Sequence, residues 1–574
     1  MKYVLKHLKP YIPLIIVAVF CTLSRVFSEL SLPNLMSEIV DKGVMNSDMA
    51  FIYKTGALML LTALFSSLAS VFSNFFGAKI GASLSRDLRK SVYTKVQSFS
   101  NNEIDKFGSA SLITRTINDI TQLQHFIIMF IRMVIMAPMM LTGSIIMAFT
   151  KNVTLALIFL ALIIPLSLII ILISKHTVPL SVTMQKKIDK INLVLREKLT
   201  GIRVIRAFTM DKHEEERFEE ANTSLTKTAI RLQVISSAMM PALSLILNSA
   251  IILIIWLGAK NIEAGNLMVG DLMAVLQYVT HIMMSLMAMS MIFMSLPRAG
   301  ASASRLAEIL DTEPSIKNSE NASNEINSSL IEFKDVSFKY PASDDYVLKN
   351  ISFTAEPGKT TAIIGSTGSG KSTLAALIPR LYDVTDGSLC VGGCDVRSVT
   401  QEALRKKIGF VTQKALLFSG TIEENIKYAN PQTDDETALE AAEISQSSNF
   451  IKKKDGGMKA QVAQGGHNLS GGQKQRLSIA RAIAKNPDIF IFDDSFSALD
   501  FKTDAALRKA LSTKTKNKTV IIIAQRVSTI MNADKIIVLN EGLLVGDGTH
   551  KELFESCEIY REIVLSQLSK EEAI

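Results

Sequence analysis

The chain has 574 residues, and 48% of them are hydrophobic; the mean hydropathy of +0.27 is high for a single soluble domain. The formal net charge of +8 could indicate a nucleic-acid partner, but cationic cytoplasmic loops give membrane proteins the same bias. We interpret the cysteines as reduced thiols without a role, because the one close pair, a C-x₃-C, lacks a second ligand pair for a metal. They are Cys21, Cys390, Cys394 and Cys557.

Six apolar stretches in the first half are long enough to cross a bilayer, which takes about 20 residues. The predicted spans lie near residues 10–32, 55–78, 127–150, 152–174, 232–259 and 272–297. The basic, amphipathic start of the chain is not followed by a small-residue cleavage site, so we expect a retained interfacial helix rather than a signal peptide. Together these elements predict a transmembrane domain over residues 1–312.

The charge of the connections predicts how the spans are oriented. The two long connections, after the second and the fourth span, are basic and have a helical pattern, whereas the others are short and nearly neutral. The positive-inside rule places the long connections and both termini in the cytoplasm. We therefore expect a multi-pass protein of the plasma membrane. The basic residues are Lys79, Arg86, Arg89, Lys90, Lys95, Lys106 and Arg115 in the first long connection, and Lys175, Lys186, Lys187, Lys190, Arg196, Lys198, Arg203, Arg206 and Lys212 in the second.

Three charged residues lie inside predicted spans, where ionisable side chains mark functional sites by default. Arg132 is close enough to the inner interface to extend its guanidinium there, which favours a structural role. Arg25 and Glu29 are spaced i,i+4 in the outer half of the first span and can pair on one helix face. They either line a polar cavity or join helices.

Methionine is frequent in the third, fifth and sixth spans. Its flexible thioether suits varied apolar ligands, but it also serves ordinary helix and lipid packing, which we favour. On the sixth span, Gln277, Tyr278 and His281 fit either a substrate cavity or interhelical hydrogen bonds. These methionines include Met129, Met133, Met136, Met139, Met140, Met239, Met240, Met283, Met284, Met287, Met291 and Met294.

The composition changes abruptly after the sixth span, where Asn and Ser become frequent. Residues 313–330 are predicted as a linker and residues 331–574 as a second domain, which begins with an alternating strand at 331–340. Further on, an apolar strand, a glycine-rich loop and an apolar helix follow one another, and the loop fits the phosphate-binding pattern G-x-x-x-x-G-K-[ST]. The loop residues are Gly365, Ser366, Thr367, Gly368, Ser369, Gly370, Lys371, Ser372 and Thr373.

Each residue type in this loop suits an anionic ligand. Its glycines let backbone N–H groups approach phosphate oxygens. Lys371 supplies a cation between the β- and γ-phosphates, and the Ser372 hydroxyl can ligate Mg²⁺. A glycine-rich turn that matches by chance is the alternative, but the strand and helix on either side favour nucleotide binding.

Other polar residues follow apolar runs that are predicted as strands. Gln413, Asp493 and Gln525 each end such a run, and parallel sheets carry their chemistry at the carboxyl ends of strands. Asp494 directly follows Asp493. The sequence Leu-Ser-Gly-Gly-Gln at 469–473 leads into a helical stretch.

With these motifs in this order, the chain resembles an ATP-binding cassette (ABC) exporter half-transporter of the multidrug type. The resemblance covers essentially the whole chain, and Leu-Ser-Gly-Gly-Gln is the family's own signature. It implies a multidomain fold, in which a six-helix transmembrane domain with long cytoplasmic helix extensions precedes an α/β P-loop nucleotide-binding domain. It also implies ATP and Mg²⁺ as ligands, export of amphipathic drugs, lipids or peptides, and cassettes that pair head to tail.

The resemblance assigns roles within the nucleotide site. Tyr340 stacks on adenine, and residues 365–373 hold the phosphates. Gln413 contacts Mg²⁺ and the attacking water and couples the site to the membrane helices. Asp493 holds Mg²⁺ through water.

Other roles lie between subunits or domains. Asp500 belongs to the loop that crosses between the two nucleotide sites, and segments near 101–109 and 209–216 take the positions of the coupling helices. Four signature residues cap the ATP bound to a partner subunit; they are Ser470, Gly471, Gly472 and Gln473.

Two residues depart from the family pattern. The family usually places glutamate at position 494 to activate water and histidine at position 525 to contact the γ-phosphate, but this chain has Asp494 and Gln525. The aspartate reaches about 1.5 Å less, and the amide carries no charge. The alternative is that aspartate remains a slow but working base.

The two departures in one site, beside an intact signature, favour a degenerate site that binds ATP but hydrolyses it slowly. The chain then resembles one subunit of a heterodimeric bacterial exporter, whose homologous partner carries the glutamate and the histidine. A regulatory ATP-binding membrane subunit without cargo is the second hypothesis. The six spans exclude a soluble ATPase acting on nucleic acid, and we expect no nucleic-acid partner.

Overall fold

The computed structural model describes residues 2–341, 343–569 and 571; the side chains of residues 159, 160, 162, 293 and 294, which include Met294 of the sixth span, lie outside the described part. The chain forms two compact units. The first comprises Met1–Gln97 and Ala110–Thr312, and the second comprises Ser98–Ser109 and Glu313–Ile574. A short segment of the first half therefore belongs with the second unit.

Six helices in the described part are long and apolar enough to cross a membrane. Each predicted span falls on one of them, although the fourth prediction begins one residue early, because Asn152 caps its helix. The polar sequence of the long connections continues these helices well beyond the apolar stretches. The helices of the first half are α1 (Lys2–Leu8), α2 (Ile12–Glu38), α3 (Met49–Gln97), α4 (Asn101–Phe107), α5 (Ser109–Thr114), α6 (Ile120–Lys151), α7 (Val153–Thr200), α8 (Ile202–Ala207), α9 (Asp211–Ser237), α10 (Met239–Glu263) and α11 (Val269–Asp311).

Local chemistry explains how α6 ends and α7 begins. The Asn152 side chain accepts a hydrogen bond of 3.1 Å from the Leu155 amide, which satisfies a free donor at the start of α7. This cap lets α6 and α7 follow each other with a single residue between them. One π-helical segment, Ile39–Val44, directly follows α2, and another, Arg115–Asp119, directly precedes α6.

Within the first unit, α2 packs on α3 and α11, α6 packs on α11, and α7 packs on α9 and α10. Gly143 of α6 permits one close crossing, because a Cβ there would lie 2.3 Å from the Leu30 Cδ1 atom of α2. The side-chain stem of Arg132 lies against Gly77 of α3, with its Cγ atom 3.8 Å from the position of a Cβ there. The aliphatic part of this arginine thus contributes to helix packing.

A polar cluster joins three helices at the ends that carry the short connections. Lys151 of α6 pairs with Asp271 of α11 at 2.8 Å. Ser37 of α2 donates to Asp271 at 2.8 Å, and the Lys151 ammonium lies 3.4 Å from the Ser37 hydroxyl. Asp41 accepts from the Gly270 amide at 2.6 Å, and a Cβ at Gly270 would lie 2.4 Å from the Ser37 carbonyl oxygen. We call these five residues the short-loop cluster.

The second unit is built on a six-stranded sheet of order β12-β11-β3-β10-β9-β6, together with a four-stranded antiparallel sheet of order β2-β1-β4-β5 and a small β7-β8 pair. In the larger sheet β6, β9, β10, β3 and β11 pair in parallel. Strands β9 and β10 are buried along their whole length, and their continuous apolar sequence is typical of parallel strands that are covered on both faces. The strands are β1 (Ile331–Phe338), β2 (Leu348–Ala355), β3 (Thr360–Gly365), β4 (Asp386–Val391), β5 (Cys394–Asp395), β6 (Ile408–Val411), β7 (Gly420–Thr421), β8 (Gln461–Val462), β9 (Ile489–Asp493), β10 (Thr519–Ile523), β11 (Lys535–Asn540) and β12 (Leu543–Gly548).

Helix α4 from the first half belongs to the second unit. Glu103 completes a capping box with Ser100 and accepts a hydrogen bond of 3.1 Å from the Ser315 amide, while Tyr382 donates to Asp105 at 3.2 Å. The other helices of the unit are α12 (Lys371–Leu377), α13 (Gln401–Lys407), α14 (Ile422–Lys427), α15 (Asp435–Ile444), α16 (Ser448–Lys452), α17 (Gly471–Ala484), α18 (Phe501–Lys514), α19 (Val527–Ile530), α20 (His550–Ser556) and α21 (Glu558–Leu565). The predicted architecture, six apolar helices followed by an α/β domain, is confirmed.

Candidate nucleotide-binding site

The phosphate-binding loop links β3 to α12 at the carboxyl end of the sheet. Glycine is required at two of its positions for steric reasons. A Cβ at Gly365 would lie 2.0 Å from the Leu539 carbonyl oxygen. Gly370 has a φ of 95°, and a Cβ there would lie 2.6 Å from Leu348 Cδ2. The loop backbone can therefore follow this tight path only without side chains at these positions.

Lys371 is the cation of the loop and is only 9% exposed. Its ammonium donates to the Gly365 carbonyl at 2.9 Å, the Ser366 carbonyl at 2.6 Å and the Ser369 hydroxyl at 3.3 Å. Burial lowers the pKa of Lys371, and the nearby carboxylates of Asp494 and Asp493 act in the opposite direction. A buried cation enclosed by a glycine-rich backbone fits the phosphates of ATP.

Asp493 and Ser372 place two oxygen atoms together beside the loop. The Ser372 hydroxyl donates to Asp493 Oδ1 at 2.9 Å. Burial raises the pKa of Asp493, and the charge of Asp494 adds to this rise. A hydroxyl and a carboxylate in contact fit Mg²⁺, which prefers oxygen ligands. These two residues would hold the ion, which would neutralise charge on the phosphates when bound.

Asp494 lies at the junction of three segments that are far apart in sequence. Its Oδ2 atom accepts hydrogen bonds from Gln525 Nε2 at 2.9 Å and from Gln413 Nε2 at 3.3 Å. Its backbone amide donates to the Ile523 carbonyl at 2.9 Å, and its φ of 46° lies in the left-handed region, which aspartate tolerates better than most residues. The three predicted catalytic residues therefore contact one another through a single carboxylate oxygen.

Tyr340 lies at the edge of the loop. Its hydroxyl is 2.9 Å from the Thr373 hydroxyl. Its ring makes edge-on contacts with Phe338 and Tyr382, at centroid distances of 5.0 Å and 5.4 Å. Tyr382 was not predicted, because an isolated tyrosine after a helix carries no motif that would identify it in the sequence.

The signature residues form the start of α17. Ser470 caps this helix: its hydroxyl accepts from the Gln473 amide at 3.3 Å, and its own amide donates to Gln473 Oε1 at 3.0 Å. Ser470 and Gly471 are exposed, and a Cβ at Gly471 would have no neighbour within 4 Å. In the described part of the chain, no hydrogen bond joins residues 470–473 to the phosphate-binding loop or to the two aspartates.

Two further residues fix the loops around the site. Gln475 of α17 donates to the Thr412 carbonyl at 3.3 Å, which ties the segment next to Gln413 to the signature helix. Asp500 caps α18 by accepting from the Thr503 amide at 2.9 Å. Gln475 was missed from the sequence, because its partner is a backbone atom 63 residues away.

A parallel sheet with a phosphate-binding loop and a Leu-Ser-Gly-Gly-Gln helix, preceded by six apolar helices, defines a membrane-bound, ATP-driven transporter of the exporter type. The chain belongs to the ABC transporter family. Residues 15–286 match the family described as "ABC transporter transmembrane region", and residues 348–497 match the family described as "ABC transporter". The chain thus binds ATP, is embedded in a lipid bilayer, and belongs to a class of ATP-hydrolysing transporters.

Several proteins resemble the chain over almost its full length. The uncharacterized ABC transporter ATP-binding protein Rv1273c of Mycobacterium tuberculosis is 38% identical, over 98% of this chain and 97% of that protein. YfiB of Bacillus subtilis, also an uncharacterized ABC transporter ATP-binding protein, is 38% identical over 100% of this chain and 99% of that protein. The ATP-dependent lipid A-core flippase of Aromatoleum aromaticum is 30% identical over 99% and 96%. A solved bacterial Atm1-family ABC exporter with ATP bound has the same fold, with a TM-score of 0.82 and 24% identity over 98% and 99% of the two chains.

Proposed function

We propose that this chain is one subunit of a heterodimeric ABC exporter that moves amphipathic substrates out across the plasma membrane, with its nucleotide domain in the cytoplasm. Residues 1–312 form the transmembrane domain, 313–330 the linker and 331–574 the nucleotide-binding domain. The chain binds Mg²⁺-ATP in a slow site of its own. Its signature residues complete the faster site of a homologous partner.

The observation that carries the proposal is the position of Asp494. Its Oδ2 atom is held by the side-chain amides of Gln413 and Gln525, and a family member with a full catalytic site would have a longer carboxylate and an imidazole at positions 494 and 525. Two neutral amides that share one short carboxylate keep it close to the protein. The carboxylate then reaches a water on the γ-phosphate poorly, and a displacement of about 1 Å can lower a rate on the order of 10²-fold.

The remaining residues of the site are suited to holding nucleotide. Lys371 and the glycine backbone bind phosphate oxygens, and the packing of Tyr340 against Tyr382 keeps its ring in place for adenine. Ser372 and Asp493 hold Mg²⁺. None of these roles depends on the residues at 494 and 525, so binding is retained while hydrolysis is slow.

Unlike the residues at 494 and 525, the signature residues at the start of α17 match the family pattern, and the first of them are exposed. Ser470 and Gln473 keep the helix start in order by their mutual hydrogen bonds. The exposed surface of Ser470 and Gly471 is available to nucleotide held by another subunit. The chain thus contributes more to its partner's hydrolysis than to its own.

The test compares two substitutions in the co-purified pair. Gly471→Ala adds a methyl group that meets no neighbour within 4 Å, so the fold stays intact, but it fills the space above the helix start and should nearly abolish ATP turnover. Asp494→Asn should change turnover little. Gly300→Ala, another glycine whose Cβ would meet no neighbour, is the control.

The chain purified alone should have little ATPase activity. Robust turnover without a partner would contradict the proposal. So would a pair in which Asp494→Asn is as inactive as Gly471→Ala, because the two sites would then be equivalent.

A further inference from the structure

A charged pair lies within the first membrane-spanning helix. The Arg25 Nε atom donates to Glu29 Oε1 at 2.8 Å, and both side chains are about a quarter exposed, at 24% and 23%. Arg25 is thirteen residues after Ile12, the start of α2, or about 20 Å along the helix. Charges at this depth face the interior of a helix bundle or a water-filled cavity rather than lipid.

The register between α2 and α11 places His281 beside this pair. The Tyr278 hydroxyl donates to the Leu30 carbonyl at 3.1 Å. Leu30 follows Glu29 directly, and His281 is one turn beyond Tyr278, so this register brings the turn of α11 that carries His281 to the turn of α2 that carries Glu29.

Hydrogen-bond donors outnumber acceptors in this group. Among the described residues, Arg25 donates only through Nε, and its two Nη groups have no acceptor there. In the described part of the chain these four Nη hydrogens therefore remain available to a ligand, and Oε2 of Glu29 accepts no hydrogen bond. An arrangement with spare guanidinium donors selects an anion with several oxygens, such as a phosphate or a carboxylate.

An apolar stripe continues from this polar group along α11. Met284 and Met291 are 59% and 55% exposed and lie at helical spacings of i+3 and i+10 from His281, on the same side of the helix. Met287 lies between them. These flexible thioethers lie on the same side of α11 as His281, and they suit alkyl chains of varied shape.

We infer that Arg25, Glu29 and His281 form a head-group site for acidic amphiphiles, in which the guanidinium binds a phosphate or carboxylate and the methionine stripe receives the alkyl chain. The inference rests on the proposed function, since it names the chemical class of the exporter's cargo. Glu29 orients the guanidinium by holding its Nε atom, and it weakens the binding of anions by its own charge. If the pair only stabilised α2 as an ion pair within one helix, ligand binding would not depend on the charge of the ligand.

The experiment measures equilibrium binding of radiolabelled dodecyl phosphate to the co-purified pair in uncharged dodecyl maltoside, without ATP. Arg25→Gln should weaken binding about ten- to hundredfold, the range for hydrogen bonds to a charged group. Glu29→Gln should strengthen it severalfold, because it frees Nε and removes a like charge. Arg132→Gln, another arginine within a span, is the matched control and should change affinity less than twofold.

The opposite signs of the first two substitutions separate a site from a structural ion pair. Both break the pair, so a purely structural role predicts the same effect for both, and that result would overturn the inference. Unchanged binding by Arg25→Gln, or equal loss by Arg132→Gln, would overturn it too. An unchanged affinity for a fluorescent ATP analogue shows that each variant is folded.

Competition identifies the source of the anion. Unlabelled dodecyl phosphate and decanoate should displace the probe, whereas inorganic phosphate at the same concentration should not; equal displacement by inorganic phosphate would contradict a site for amphiphiles. Stronger displacement by dodecyltrimethylammonium would contradict a site for acids. Because no ATP is used, these outcomes are independent of whether Asp494 forms a slow site.

Discussion

Lengthening the carboxylate at position 494 should convert the slow site into a fast one. In the structure, Asp494 Oδ2 is 2.9 Å from Gln525 Nε2 and 3.3 Å from Gln413 Nε2, while its backbone is anchored to Ile523. Because the backbone is fixed, Asp494→Glu moves the carboxylate about 1.5 Å further into the site.

The size of the effect follows from this reach. A misplacement of about 1 Å costs on the order of 10²-fold in rate, which corresponds to about 2.7 kcal/mol of activation free energy. Asp494→Glu should therefore accelerate hydrolysis at this site about 10²-fold. Affinity for ATP should stay the same, since the new methylene group leaves unchanged Lys371 and the glycine backbone, which we propose hold the phosphates.

The assay is a single-turnover measurement on the co-purified pair, with protein in excess over γ-labelled ATP. The wild-type pair should release phosphate in two phases, a fast one from the partner's site and a slow one from the site of this chain. Asp494→Glu should shift the slow phase toward the fast one. Asp494→Asn keeps the shape of the side chain without its charge, and it should remove the slow phase and leave the fast one.

Two results would refute this reasoning. A wild-type pair that releases phosphate in one fast phase from both sites would show that aspartate is already an adequate base. A slow phase that Asp494→Glu leaves unchanged would show that reach does not limit the rate.

The other expectations concern the phosphate loop and its neighbours. Lys371→Ala removes a buried cation and should weaken ATP binding about ten- to hundredfold, whereas Lys371→Arg should lose less; titration with a fluorescent ATP analogue measures both. Burial raises the pKa of Asp493, so the ionised carboxylate lowers the free energy of unfolding at neutral pH. This destabilisation decreases as the pH falls through the raised pKa, because the native state then takes up the proton. Asp493→Asn, measured by thermal unfolding without Mg²⁺, should thus stabilise the protein at pH 7 and lose that advantage on acidification; a constant difference across this range would contradict the burial effect.

Much of the fold follows from patterns that are local in the sequence. Apolar length alone predicted six spans, each of which falls on a helix that is long and apolar enough to cross a membrane. The helical pattern of the basic connections predicted that helices such as α3 and α7 continue beyond their apolar stretches. Continuous apolar runs followed by polar residues located β9 and β10, and a strand, a glycine-rich loop and a helix in succession located the phosphate loop. These signals are strong because each depends on neighbouring residues only.

The contacts that define the site are not local, and the sequence could not predict them. Gln413 and Gln525 are 81 and 31 residues away from Asp494, and only the order of the strands in the sheet brings their amides to one oxygen. The register that sets Tyr278 on Leu30 spans 248 residues, so the sequence left open whether Arg25 and Glu29 line a cavity. The π-helical segment Ile39–Val44 was not predicted either, because π-helices are rare and carry no recognisable local sequence pattern.

The short-loop cluster couples the movements of the ends of α2, α6 and α11. Ser37, Lys151 and Asp271 each contact both of the others, so moving any one helix end away breaks at least two contacts at once. The Lys151 and Asp271 side chains are only 16% and 21% exposed, so separating them without full hydration leaves two unpaired charges, which is costly. The short-loop cluster therefore resists small tilts of these three helix ends relative to one another. Because part of this resistance comes from the Lys151–Asp271 ion pair, high salt concentrations weaken it by screening the charges.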